Sequence, residues 1–172
     1  MSRFKQVYVN GETYSRCCRL ASALSMAGIV KGDTVAAMLP NIPAMVEAHF
    51  GVPMCGAVLN TLNTRLDPDA IAYMLEFAEA KAILVDREFS ETLQAALDKV
   101  TIKPLVINVE DEEYDGPGFE IGEVRYKSFI TDGNPDYDWQ LHDDKWDAIC
   151  LNYTYGTTGK IQKFALRQQA QA

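Results

Sequence analysis

The sequence lacks an excess of basic charge, a long apolar run and a Cys-x-x-Cys pair, and each absence removes a class of function. Sixteen basic side chains stand against 24 acidic ones, a formal net charge of −8. A nucleic-acid binder needs a cationic face to neutralise phosphates, so nucleic acid is not an expected partner. The acidic balance serves solubility instead. No stretch reaches the roughly 18 consecutive apolar residues of a spanning helix, so no membrane span is expected. The first 15 residues hold no apolar run resembling a signal peptide. The C-terminal Gln-Ala-Gln-Ala carries no targeting tripeptide. Cysteine is confined to Cys17, Cys18, Cys55 and Cys150, with no Cys-x-x-Cys spacing, which argues against a zinc or dithiol redox site. All four sit among apolar residues and are expected to pack as small hydrophobes, in a reducing compartment. Histidine is scarce. His49 lies in an apolar helical stretch and is expected to be a satisfied core or interface residue; His142, next to Asp143 and Asp144 in sequence, is expected at the surface. No metal spacing is visible, and no internal repeat.

What is present is an alternation of short apolar strands with helical patterns. Val7-Tyr8-Val9 and Thr13-Tyr14 flank Asn10-Gly11, a hairpin signal. A helix is expected from Tyr14 to Ala27, with Cys17, Leu20, Ala21 and Leu24 on one face and Gly28 just past its end. Thr34 to Leu39 reads as a strand. Pro40 ends it, and Asn41 can cap a helix from Ile42 that Pro53 should kink or stop. Ala57 to Asn60 is a second strand. Asp67-Pro68 opens a helix with Ile71, Met74, Leu75 and Ala78 aligned. Ala82 to Val85 is a third strand, Phe89 to Val100 a helix, and Leu105 to Asn108 a fourth strand. Alternation at this spacing predicts an α/β fold with three αβα layers and a mostly parallel sheet joined by right-handed crossovers. Ligand loops in such a sheet leave the carboxyl ends of the strands.

The alternation then lapses. Residues 109–123 hold seven acids and no base around Gly116-Pro117-Gly118, and are expected to form a solvated excursion. Val124 to Ile130 is expected to make a short strand and a short helix. Met26, Met38, Met45, Met54 and Met74 fit core faces, and Trp139 and Trp146 are expected to pack a loop onto the sheet.

The most informative stretch is Asn152-Tyr153-Thr154-Tyr155-Gly156-Thr157-Thr158-Gly159-Lys160. It follows Ala148-Ile149-Cys150-Leu151, which reads as a buried strand within a paired segment Ala148 to Tyr153. Gly156 and Gly159 allow close backbone approach to a ligand. Successive N–H groups can then converge on an anion, and Thr154, Thr157 and Thr158 add hydroxyl donors. The spacing of the glycines is not that of a Walker A loop. Plain turns of this composition are also common.

Together these stretches resemble the N-terminal part of the AMP-forming acyl-CoA synthetases, within the adenylate-forming ligase superfamily. The likeness is carried by Tyr14 to Gly28 with Val30-Lys31-Gly32-Asp33-Thr34-Val35-Ala36, by Leu39 to Met54, by Gly56 to Leu66, by Glu79-Ala80-Lys81, and by Tyr153 to Gly159 as the signature phosphate loop. The run from Leu39 to Arg65 is most similar to the branch acting on medium-chain, aromatic or thioether-containing acids. The resemblance implies that ATP activates a fatty or aromatic carboxylic acid to acyl-AMP, after which coenzyme A forms the thioester. It implies ATP, Mg²⁺ and coenzyme A as cofactors, with Thr154, Tyr155, Gly156, Thr157, Thr158, Gly159 and Lys160 at the β- and γ-phosphates. No catalytic residue and no metal ligand of this chain is assigned. The sequence departs from the family at Tyr155, where a small residue is usual, and at Ile161-Gln162-Lys163, where Pro-Lys-Gly is usual. The expected organisation is therefore a truncated α/β subdomain over 1–160 and an atypical tail over 161–172. Such a chain is expected to lack full catalysis alone, or to serve as a non-catalytic, self-associating module. A cytoplasmic location is expected, or a peroxisomal one for a eukaryotic parent.

Overall fold

The computed structural model describes residues 10–139, 144 and 146–153. Five strands form one parallel sheet: β1 (Thr34–Met38), β2 (Val58–Thr61), β3 (Ala82–Asp86), β4 (Leu105–Val109) and β5 (Val124–Arg125), in the spatial order β2-β1-β3-β4-β5. The register pairs Thr34 with Val58, Val35 with Ala82, Ala82 with Leu105 and Ile107 with Val124. Every residue of β1 and of β3 is buried. That explains the apolar runs over 35–38 and 82–85, because a parallel sheet is covered on both faces and needs no polar alternation.

Five helices supply the covers: α1 (Asn10–Met26), α2 (Pro43–Met54), α3 (Pro68–Phe77), α4 (Ser90–Leu97) and α5 (Tyr126–Thr131). One core joins Leu20 and Leu24 of α1, Val52 of α2 and Ile130 of α5 to Val35, Leu84 and Ile107 of the sheet. The opposite core joins Ile71 and Leu75 of α3 and Leu93 of α4 to Ala36, Met38 and Ile83. The three αβα layers and the parallel sheet expected from the sequence are both present. The sheet is wholly parallel rather than mostly so.

Local chemistry explains most boundaries. Asp67 caps α3 as expected, its Oδ1 accepting from the Ala70 N–H at 2.8 Å, with Pro68 at the first helical position. Pro53 falls in the last turn of α2, which stops one residue later. Gly51 lets α1 and α2 approach closely: a Cβ there would lie 2.9 Å from Leu20 Cδ2 and 3.0 Å from the Cys17 carbonyl oxygen.

Several expectations are corrected. Asn10, Gly11, Thr13 and Tyr14 belong to α1 and not to a hairpin, whose first strand, residues 7–9, lies outside the described residues. Burial of the Cys17–Leu24 face against α2 overrides the local turn preference. Asn41 does not cap α2. A residue before proline is driven to extended backbone, so Ile42, at φ −122 and ψ 167, is the N-cap and Asn41 lies one place outside. The helix expected from Phe89 to Val100 opens as a 3-10 turn, Arg87–Phe89, capped by Asp86, and ends at Leu97.

The acidic segment is not simply solvated. Asn108 holds it like a surrogate strand, accepting from the Ile121 N–H at 2.8 Å and donating to the Val124 carbonyl at 3.1 Å. Ser90 Oγ accepts from the Phe119 N–H at 3.1 Å, and Arg87 donates to the Tyr114 carbonyl. Gly118, at φ +146, passes so close to Arg87 that a Cβ would lie 2.2 Å from the Arg87 carbonyl oxygen. Ile121 is buried in the α3/α4 core. The segment thus acts as the crossover that brings β5 beside β4 without a helix.

Candidate functional site

The strand order reverses direction between β1 and β3, since β2 lies to one side of β1 and the later strands to the other. Crevices for ligands in open parallel sheets form at that point, outside the carboxyl ends of the strands. A further segment reaches this edge. Residues 147–153 run beside β2, parallel to it. Asp147 pairs with Lys31 at 2.7 Å near the amino end. The Leu59 N–H donates to the Ile149 carbonyl at 3.1 Å, and Leu59 accepts from the Leu151 N–H at 2.8 Å. Thr61 Oγ1 meets Asn152 Oδ1 at 3.4 Å at the carboxyl end. Tyr153 donates to the Met74 carbonyl at 3.3 Å and packs against the α3 side of the core. Burial, then neighbouring Tyr73, raises its phenol pKa. Residues Thr154, Tyr155, Gly156, Thr157, Thr158, Gly159 and Lys160 lie outside the described residues, as do His142 and the 161–172 tail.

The expectation of a buried strand over 148–151 is corrected. Ala148, Ile149 and Cys150 are exposed, Leu151 is half-buried, and a single bridge joins this segment to the sheet. The reason is its place at the outer edge, with a neighbour on one side only among the described residues. Cys150 is accordingly not a packed hydrophobe, whereas Cys17 and Cys18 are buried. Trp146 is 80% exposed and does not pack a loop down. Trp139 donates instead to the Tyr14 hydroxyl at 3.1 Å. Met26 is exposed too, and so is His49, which donates from Nδ1 to the Met45 carbonyl at 2.7 Å rather than entering the core.

Sequence reasoning missed the Glu47 cluster. Glu47 is fully buried in α2. Its Oε1 accepts from Arg16 Nε at 2.6 Å, and its Oε2 from Arg16 Nη2 at 3.1 Å and from the Tyr126 hydroxyl at 2.5 Å. Burial, reinforced by the Glu47 charge, pushes the Tyr126 phenol well above its ordinary range. The same causes push the Cys17 thiol up to about 11. Arg16 and Tyr126 line a cavity of about 300 Å³ with Ile42, Ala44, Val109 and Glu110, at the carboxyl ends of β1 and β4. A single acid in an otherwise apolar helix was the only signal available. Asn60 of β2 is also fully buried, and its amide has no hydrogen-bond partner among the described residues. No group of three or more His, Cys, Asp or Glu side chains placed to hold a metal occurs among them.

A wholly parallel sheet with helices on both faces, and a further segment running beside β2 to its carboxyl end, defines an open α/β class of protein. The model of the AMP-binding enzyme family matches residues 8–162, and the chain belongs to that family. It is 43% identical over 173 residues to the peroxisomal acetate/butyrate–CoA ligase AAE7 of Arabidopsis thaliana, covering 94% of this chain and 30% of the relative. It is 44% identical over 163 residues to the peroxisomal trans-cinnamate:CoA ligase of Petunia hybrida, covering 87% and 29%. The fold is shared with a crystal structure of the anthranilate CoA ligase AuaEII in complex with anthranoyl-AMP, at a TM-score of 0.76 and 22% identity, covering 86% of this chain and 27% of that one. The chain thus spans about 30% of the length of the curated relatives it matches. Among the described residues, no helix is long and apolar enough to cross a membrane.

Proposed function

We propose that this chain forms the phosphate-loop region of an AMP-forming acyl-CoA ligase. In the complete reaction a carboxylate oxygen attacks the α-phosphorus of ATP, and the bond to pyrophosphate breaks. The thiol of coenzyme A then attacks the acyl carbon and AMP leaves. The observation that carries the reading is the parallel run of residues 149–152 along β2, which leads the chain to the carboxyl edge. Thr154, Tyr155, Gly156, Thr157, Thr158, Gly159 and Lys160 are proposed to hold the β- and γ-phosphates by backbone N–H groups and hydroxyls, with Lys160 adding positive charge. Mg²⁺ would neutralise phosphate charge there, and its ligands are not assigned to side chains of this chain. The acid is proposed to be a fatty or aromatic carboxylate, in keeping with the names of the relatives. The cytoplasm or, as for the two plant relatives, the peroxisome is the proposed location.

The test is pyrophosphate release by the purified chain with a panel of carboxylic acids, alongside calorimetry with ATP and Mg²⁺. Weak or absent turnover is expected, together with ATP binding that a Gly156→Val variant loses. Robust turnover overturns the assignment as a region needing further parts, and equal silence from both chains in calorimetry overturns the phosphate site. A second reading, a non-catalytic interaction module, is favoured by the sheet edge at Cys150, which has a neighbour on one side only among the described residues.

A further inference from the structure

Asn60 and Asn108 hold matching places on the two sides of the sheet. Each is the residue before last of its strand, Asn60 in β2 and Asn108 in β4. Side chains alternate along a strand, and Leu59 and Ile107 pack into the α1/α2 core. Both asparagines therefore face α3 and α4, the side that Ala36 and Val106 share. Both are buried. Each strand also has a further segment on its outer side, residues 147–153 beside β2 and β5 beside β4. Their hydrogen bonds differ. Asn108 engages its whole amide with the chain leading into β5. Its Oδ1 accepts from the Ile121 N–H at 2.8 Å, and its Nδ2 donates to the Val124 and Gly122 carbonyls at 3.1 and 3.4 Å. Neither Oδ1 nor Nδ2 of Asn60 has a partner among the described residues. A buried amide of that kind lowers stability, so its place calls for a state in which it is bonded.

The segment beside Asn60 is held loosely where it matters. A single bridge, at Cys150, joins it to β2. Beyond that bridge Thr61 meets Asn152 at 3.4 Å and the Tyr153 hydroxyl meets the Met74 carbonyl at 3.3 Å, both long for a hydroxyl donor. Tyr153 packs on the Asn60 side of the sheet and directly precedes the candidate phosphate loop. We propose that Asn60 is a positioning residue for that loop, doing for the chain that enters it what Asn108 does for the chain that enters β5. With ATP bound, the Asn60 amide bonds the backbone around Tyr153 and fixes where the loop leaves the sheet. Without ATP the amide stays unbonded. This rests on the ligase reading above and adds a residue to its site. Asn60 touches no phosphate; it acts through the strand. A bond made in the bound state alone adds affinity, because a ligand draws on the difference between two states. The free chain gives up some stability to keep that bond in reserve.

The experiment compares the full 172-residue chain with its Asn60→Leu variant in three measurements: thermal unfolding without ligand, calorimetry with ATP and Mg²⁺, and hydrogen exchange with and without ATP. The variant is expected to melt higher than the parent yet bind ATP about tenfold more weakly, the loss of one or two hydrogen bonds. ATP should raise protection at the Leu151 and Tyr153 amides of the parent and leave those of the variant unchanged. A merely structural asparagine moves neither the affinity nor the ATP-dependent protection. Equal ATP affinity in the two chains overturns this inference and leaves the ligase reading standing. A variant that melts lower than the parent also overturns it, since the amide is then already bonded in the free chain. A parent that takes up no ATP overturns the ligase reading and this inference with it.

Discussion

The Tyr126 hydroxyl donates a 2.5 Å hydrogen bond to Glu47 Oε2 across 79 residues of sequence. Arg16 completes the cluster from α1, so one buried carboxylate ties together the three helices on that face of the sheet. A buried charge is tolerated only where paired and hydrogen-bonded, and here both oxygens are engaged.

Removing the cation while keeping the acid should therefore be costly. Arg16→Met is expected to destabilise the fold by about 3–5 kcal/mol, the range for an orphaned buried charge. The triple variant Arg16→Met, Glu47→Leu, Tyr126→Phe should recover most of that loss. Urea midpoints at neutral pH measure both. A single variant as stable as the parent would show that solvent reaches Glu47.

Stability should also fall at alkaline pH. The Cys17 pKa rises from 9.0 to about 11 in the fold. Between those values the unfolded thiol has lost its proton while the folded one keeps it. The native state then binds more protons, and stability drops as pH rises, by roughly 2–3 kcal/mol over the interval. Tyr126, also raised, adds to the loss in the same direction. Urea midpoints at pH 8, 9, 10 and 11 test this. Cys17→Ala should flatten the slope between 9 and 11; an unchanged slope would put the titration elsewhere.

Asn60→Leu is expected to stabilise the protein by about 1 kcal/mol. The buried amide forfeits its solvation without hydrogen bonds among the described residues, and leucine has similar volume and no such need. A clear drop in melting temperature would reveal a partner that the amide does have.

Gly51→Val should cost about 1–3 kcal/mol, the range for overpacking. The added atoms meet Leu20 and the Cys17 carbonyl, and the backbone contact cannot give way. Gly51→Ala should show a smaller loss of the same sign. Thermal unfolding of the pair decides, and an indifferent valine would mean that α1 and α2 slide apart freely.

Periodicity located β1 to β4 and the bodies of α1 to α4, because burial of the central strands on both faces writes itself into local composition, but it misread the start of α1 and the edge at 148–151. Thr34 to Leu39 and Ala82 to Val85 read as strands, and the fold buries both, with bounds one residue different. What stayed illegible was long-range. Nothing near Glu47 in sequence names Arg16 or Tyr126 as partners, and the acidic run after Val109 conceals the anchoring role of Asn108. The apolar character of Ile149 and Cys150 was read as burial, but a residue at a sheet edge is apolar and exposed at once. The candidate loop was visible only as composition, and the fold adds to it the edge from which it departs.

The way α5 closes onto α1 bears on synthesis. Arg19 donates to the carbonyls of Thr131 and Gly133, 112 and 114 residues later, and Glu47 waits for Tyr126. A ribosome delivers the first helix long before the last one exists. Until then the Glu47 carboxylate has Arg16 but lacks the Tyr126 hydroxyl, and α1 lacks the part of its cover that α5 supplies. Native packing on this side is consequently a late and concerted event, and a nascent chain halted near residue 120 would leave these groups to chaperones.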